Sequence, residues 1–124
     1  MALEKEINIW VNGLEKALTI SKSSRYAIIF DGSSSMWMST IKLNTTFISA
    51  NMQYANNCLQ HRGHLFLNEV HDTFGKPRTA IGAIVGWVRD GDGDNYVDFI
   101  VEVLDDNSIL IDFNIDGIIV DKLI

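Results

Sequence analysis

The sequence holds a single cysteine, Cys58, in 124 residues. One thiol excludes an internal disulfide framework and points to a reducing compartment. Basic charge is also scarce: ten Lys and Arg stand against sixteen Asp and Glu, for a net charge of −6. A chain so acidic is not expected to hold nucleic acid through its phosphates. No apolar run approaches the roughly 20 residues a membrane helix needs. The opening "MALEKEINIW" is acidic rather than a basic stretch leading into an apolar one, so neither a leader nor a membrane span is expected. The expected location is the cytoplasm.

What is present describes a folded domain. Hydrophobic residues make up 47% of the chain and charged ones 21%, a balance that can bury a core. The length suits one domain over residues 1–124. The acids are unevenly placed: from Asp90 to Ile124 there are nine Asp and one Glu against one Lys. Such a face keeps a hydrophobic domain soluble, repels nucleic acid and attracts basic partner proteins.

Periodicity divides the chain. Leu3, Ile7, Trp10, Leu14 and Ala17 form a helical stripe over residues 3–20, with a hairpin turning at Asn12-Gly13 as the rival reading. "RYAIIF" reads as a buried strand, "DGSSS" as a turn and "MWMSTIKL" as the partner strand of a β-hairpin. Thr45 or Thr46 can cap a helix that carries Phe47, Ala50, Tyr54, Cys58 and Leu59 on one face, ends near His61 and stops at Gly63. "HLFLNEVHDTF" reads as a second short helix, closed by Gly75 and Pro77, completing a helical hairpin.

After Ala80 the pattern turns to β. "AIVGWV" is an apolar strand whose first residues could still be helical. "NYVDFIVEVL" alternates Tyr96, Asp98, Ile100 and Glu102 with Val97, Phe99, Val101 and Val103. "DDNS" turns into "ILIDFNI", and Asp116-Gly117 turns into "IIVDKLI". The expected class is α+β: an N-terminal helix and β-hairpin, a central helical hairpin and a C-terminal antiparallel meander.

Four constellations carry possible chemistry. In "RDGDGDNYVDF", Asp90, Asp92 and Asp94 occupy the first three ligand positions of an EF-hand calcium loop. Asn95 stands where that loop needs Gly, Val101 where it needs a bidentate Glu, and a strand follows instead of a helix. The stretch therefore reads first as a hairpin loop, with Asp90, Asp92 and Asp94 as the candidate metal ligands. Asp31, Ser33 and Ser35 look like the first loop of a metal-ion-dependent adhesion site, as in von Willebrand factor A domains. The rest of that site has no counterpart here, and Asp, Gly and Ser equally make a turn.

Cys58, His61, His64 and His71 are zinc-ligand types within fourteen residues. Yet Cys58 lies on an apolar stripe, and His64 and His71 are about 10 Å apart along a helix. A Cys58–His61 nucleophile pair lacks an orienting third group. His71-Asp72 looks like the heart of the HD phosphohydrolase motif, without that motif's other ligands. Finally, Trp10, Trp37 and Trp87 are each core candidates, and a Trp left exposed would anchor a partner.

One run of motifs resembles a known group. "RGHLFLNEVHDTFG", "AIGAIVGWV", "GDNYVDF" and "ILIDFNIDGII" are similar to stretches of a family of uncharacterised bacteriophage and prophage proteins. The likeness covers about residues 60 to 120. His71 stands where that family carries Tyr, which weakens a metal role for it. The turn at residues 105–108 is shorter than the relatives' segment. The resemblance implies a phage origin and no activity.

The combined expectation is a phage-encoded, non-enzymatic interaction protein without a cofactor, with a homodimer as one form it could take. It would inhibit a host defence protein, as anti-CRISPR and anti-restriction factors do. Asp98, Glu102, Asp105 and Asp106 are its candidate partner-binding residues, with no nucleic acid and no membrane involved. The alternative is a phage assembly or virion accessory protein, and the third a metal-binding protein using residues 90–98.

Overall fold

In the computed structural model, placement is described for residue 20 and residues 22–123. The proposed N-terminal helix, its Asn12-Gly13 alternative and Trp10 lie outside that range. The described elements run β1 (Ile28–Phe30), α1 (Ile41–Arg62), β2 (His64–Phe66), α2 (Leu67–Thr73), β3 (Val85–Val88), β4 (Phe99–Val103), β5 (Ile109–Phe113) and β6 (Gly117–Ile118). Two 3₁₀ turns, Ile81–Ala83 and Val120–Leu123, complete the set. Every strand pairing is antiparallel. The domain is α+β with its later strands at the C-terminal end, as its periodicities suggest.

Helix α1 is where sequence and structure part most. It begins at Ile41, because the Thr40 hydroxyl accepts a hydrogen bond from the Leu43 N–H at 3.2 Å and caps the first turn. The second strand of the N-terminal hairpin therefore does not form, and β1 pairs with β5 instead. Asn44, wholly buried, explains the difference. Its Oδ1 accepts from the Met38 N–H at 2.8 Å and its Nδ2 donates to the Met38 carbonyl at 3.2 Å, fixing residues 36–40 as a loop. The helix buries Asn44, Ile48, Ala55 and Leu59, while Ala50 and Tyr54 face solvent. A buried asparagine within the stripe rotated the apparent apolar face. The other end is as expected: Gly63 at φ 83° takes the left-handed stop, its N–H donating to the Leu59 carbonyl.

The second helix is preceded by a strand the periodicity does not reveal. His64–Phe66 pairs with residues 86–88 of β3, and only Leu67–Thr73 is helical. Glu69 reaches back to accept from the Phe66 N–H at 2.9 Å, which fixes the start. Gly75, at φ 64°, closes α2. The C-terminal strands divide between two sheets, ordered β1-β5-β4 and β2-β3-β6. After Gly117–Ile118 the chain turns into the 3₁₀ segment Val120–Leu123, which replaces the long last strand expected there.

The core lies between α1, α2 and the two sheets. Phe30 meets Trp37, Phe47 and Phe74 at 5.1, 5.8 and 5.3 Å between ring centroids, and Phe99 bridges Phe74 to Phe113. Trp87 is fully buried in β3 and Trp37 is half-buried on Phe30. Neither is the exposed Trp anchor considered from sequence.

Candidate functional site

The acidic segment after β3 is a loop built by its own side chains. Asp90 and Asn95 adopt left-handed φ angles of 64° and 65°, and Asn95 Oδ1 accepts from the Gly91 N–H at 3.1 Å. Asp90 is taken by Arg89, whose Nε donates at 3.1 Å, and Asp94 by Asn114, whose Nδ2 donates at 3.0 Å. Asp92 is exposed. Among the described residues no three or more His, Cys, Asp or Glu side chains gather as a metal would require. The loop runs into strand β4, the wrong exit for an EF-hand.

The other constellations separate. Asp31 Oδ1 accepts from the Ser33 N–H and hydroxyl at 2.9 and 2.5 Å, the hydrogen bonding of a turn. Ser34, also in that turn, donates to the Phe74 carbonyl at 2.6 Å and pins it to the end of α2. Cys58 and His71 line different hollows, and His61 is exposed. His64 packs edge-on against Phe66 at 5.6 Å.

A cleft of about 250 Å³ between α1 and α2 is lined by Asn51, Tyr54, Cys58, Arg62, Glu69 and Arg78, among others. Arg62 grips Glu69 with two bonds at 2.7 and 2.8 Å, and Arg78 reaches Asp72 at 2.5 Å. Burial pushes the Glu69 carboxyl up, but the Arg62 guanidinium and the Phe66 N–H outweigh it and hold the group below its ordinary range. The Cys58 sulfur hydrogen-bonded beside Tyr54 pushes its phenol above the usual value. Both carboxylates lining the cleft are thus tied to arginines.

The four candidate partner-binding acids lie along one edge. Strand β4 pairs only with β5 among the described residues, so its far side carries unpaired main-chain groups. Asp98 precedes the strand, Glu102 is within it, and Asp105 and Asp106 form the turn beyond. At about 3.3 Å per residue, Asp98 and Glu102 lie roughly 13 Å apart, with the two turn acids further on, a line and not a cluster. Glu102 and Asp105 are exposed and Asp98 is half-buried. Asp106 Oδ1 accepts from the Ser108 N–H at 3.0 Å and from its hydroxyl, so this carboxylate shapes the turn.

Sequence reasoning missed the apolar part of this edge. Alternation placed Val101 and Val103 on one face with Val97 and Phe99, and the pairing agrees, setting Val101 opposite Ile111 and Val103 opposite Ile109. But the core covers only the start of the strand. Ile100, Val101 and Val103 are 56%, 39% and 43% exposed. Which strand ends at an edge depends on sheet order, and periodicity carries no signal for it.

Among the described residues no helix is long and apolar enough to cross a membrane. No curated protein and no solved structure matches the chain. A family model does, over residues 5–123, nearly the whole length. The chain belongs to DUF6353, a family of unknown function.

Proposed function

We propose that this chain is a non-enzymatic interaction protein that adds the edge of β4, unpaired among the described residues, to a strand of a basic partner protein. The observation that carries the reading is the edge itself. Monomeric proteins blunt such edges with charged side chains, Pro or a bulge, and "FIVEV" carries one such device, the single charge of Glu102, and no Lys or Pro. Ile100, Val101 and Val103 supply apolar contact, the main chain supplies hydrogen bonds, and Glu102 and Asp105 select for positive charge. The resemblance to phage proteins supports a host protein as the target, in the host cytoplasm, with inhibition of a defence factor as the consequence.

The same edge also favours a second reading, self-pairing in a phage assembly or virion accessory protein. In an antiparallel pair centred on Val101, Ile100 of one copy faces Glu102 of the other, which opposes no like charges directly.

One experiment separates them. Tagged protein is passed over host lysate at low salt, and a recovered partner is retested with Val101→Lys and Glu102→Lys chains. A stoichiometric partner retained by the wild type and lost by both variants is the expected result. No partner, together with a concentration-dependent dimer that Val101→Lys dissolves, would move the conclusion to self-assembly. No partner and a monomer at every concentration would sink both.

A further inference from the structure

A second hollow, of about 240 Å³, sits where the chain entering β1 meets α2 and the connection after it. Its walls include Ile28, Leu67 and Ile81, and its polar lining includes Arg25, His71 and Lys76. No Asp or Glu lines it. In a chain of net charge −6, a pocket lined by two cationic side chains and a histidine, with no lining carboxylate, is a local reversal of charge.

The basic groups are held by specific contacts. Arg25 Nη2 donates to the Tyr26 hydroxyl at 2.9 Å, and its guanidinium lies 5.0 Å from the centre of that ring. The Lys76 main-chain N–H donates to the His71 carbonyl at 2.9 Å, which fixes the backbone from which the lysine side chain extends. His71 is only 4% exposed. Its Nδ1 lies 3.2 Å from Asn68 Oδ1, and that oxygen already accepts from the Thr79 N–H at 2.9 Å. The shared atom is therefore an acceptor and Nδ1 the donor, which leaves Nε2 as the lone-pair nitrogen of the neutral ring. The nearest acid in sequence, Asp72, is engaged by Arg78.

We propose that this hollow binds a small amphiphile with an anionic head and a short apolar tail, the head between Arg25 and Lys76 and the tail against Ile28, Leu67 and Ile81. Charge complementarity selects the head, because an anion here meets two cations and no carboxylate lines the hollow, although Asp31 lies close enough to Lys76 to feel its charge. Apolar walls select the tail. The volume is below the roughly 300–1,000 Å³ of drug-sized sites, so the ligand is small. The hollow borders β1, two strands away from β4 in the sheet, so this site and the interaction edge stand or fall separately.

The test uses the full chain and titrates hexanoate, hexyl phosphate, hexanol and acetate while amide chemical shifts are followed. Saturable shifts at Ala27, Ile28 and Ile81 with either six-carbon anion, and with neither hexanol nor acetate, are expected. The preferred anion then distinguishes carboxylate from phosphate heads. Arg25→Gln with Lys76→Gln should weaken that binding roughly tenfold or more while leaving the melting temperature in place. Equal response to hexanol, shifts confined to another part of the surface, or an unaltered affinity in the double variant would each overturn the assignment. So would no response to both anions.

Discussion

Asn114 Oδ1 accepts the indole N–H of the buried Trp87 at 2.9 Å. The same oxygen accepts from the Asp98 N–H at 2.7 Å, while Nδ2 donates to Asp94 and to the Tyr96 carbonyl at 3.0 and 2.9 Å. One amide thus spends its full hydrogen-bonding capacity on joining β5, β3 and the loop that enters β4. Asn114→Ala leaves a buried indole N–H and a loop amide unpaired at once. We expect a loss of about 2–4 kcal/mol, read from urea unfolding followed by tryptophan fluorescence. A loss within experimental error would mean that water replaces the amide fully.

Gly86 occupies the centre of the second sheet, where β3 lies between β2 and β6. A Cβ there would stand 1.9 Å from the Leu65 carbonyl oxygen, main chain that cannot step aside. Gly86→Ala should cost about 3 kcal/mol or more, or prevent folding. Gly91→Ala is the control, since its Cβ would meet nothing closer than 3.7 Å. It should stay within about 0.5 kcal/mol of the parent in the same melt.

Asn51 carries the one buried side-chain polar atom without a hydrogen-bond partner among the described residues, its Nδ2. Asn44, Asn56 and Asn68 each grip both the N–H and the carbonyl of one residue, Met38, Val97 and Thr79 respectively. Asn51 grips none. Removing an unsatisfied donor relieves its desolvation cost, so Asn51→Leu should stabilise the fold by about 1 kcal/mol. Destabilisation in a denaturant titration would show that the amide has a partner in solution.

Acid should weaken the protein in two stages. Burial holds the His71 pKa down, the Lys76 charge adds to this, and Asp72 opposes it. The unfolded chain binds that proton near pH ~6.5 while the folded one resists, so stability is full above this point and falls below it. Glu69 and Asp112 behave differently. Burial raises each carboxyl, but hydrogen bonds from Arg62 and the Phe66 N–H, and from Ser24 and the Phe113 N–H, bring both below their ordinary values. Their stabilisation is present above the unfolded carboxylate pKa of about 4 and disappears as pH falls through the folded values. Urea midpoints at about pH 7.5, 5.5 and 3.5 should step down twice, and His71→Gln should lack the first step. A parent midpoint unchanged between the first two would refute the role given to His71.

Much of this architecture is legible in the sequence, and for local reasons. The stop at Gly63 and the turn closed by Asp106 and Ser108 are decided by residues within a few positions of one another. So is the loop character of residues 90–95, where Asn95 supplies both a left-handed angle and a side-chain acceptor. Alternation correctly sets Phe99, Val101 and Val103 on one face of β4. Long-range partners decided the rest. Polar Asn44 reads as a surface residue until Met38 is seen in its grasp, and that misreading hid where α1 begins and which face it buries. Strand order placed β4 at an edge and β5 at the centre, and so exposed Val101 while burying Ile111. Arg25 and Lys76, 51 positions apart, become neighbours of one hollow only when the chain before β1 packs beside α2. Local chemistry sets where elements start and stop; which surfaces remain open depends on contacts between residues far apart in sequence, which no short-range pattern encodes.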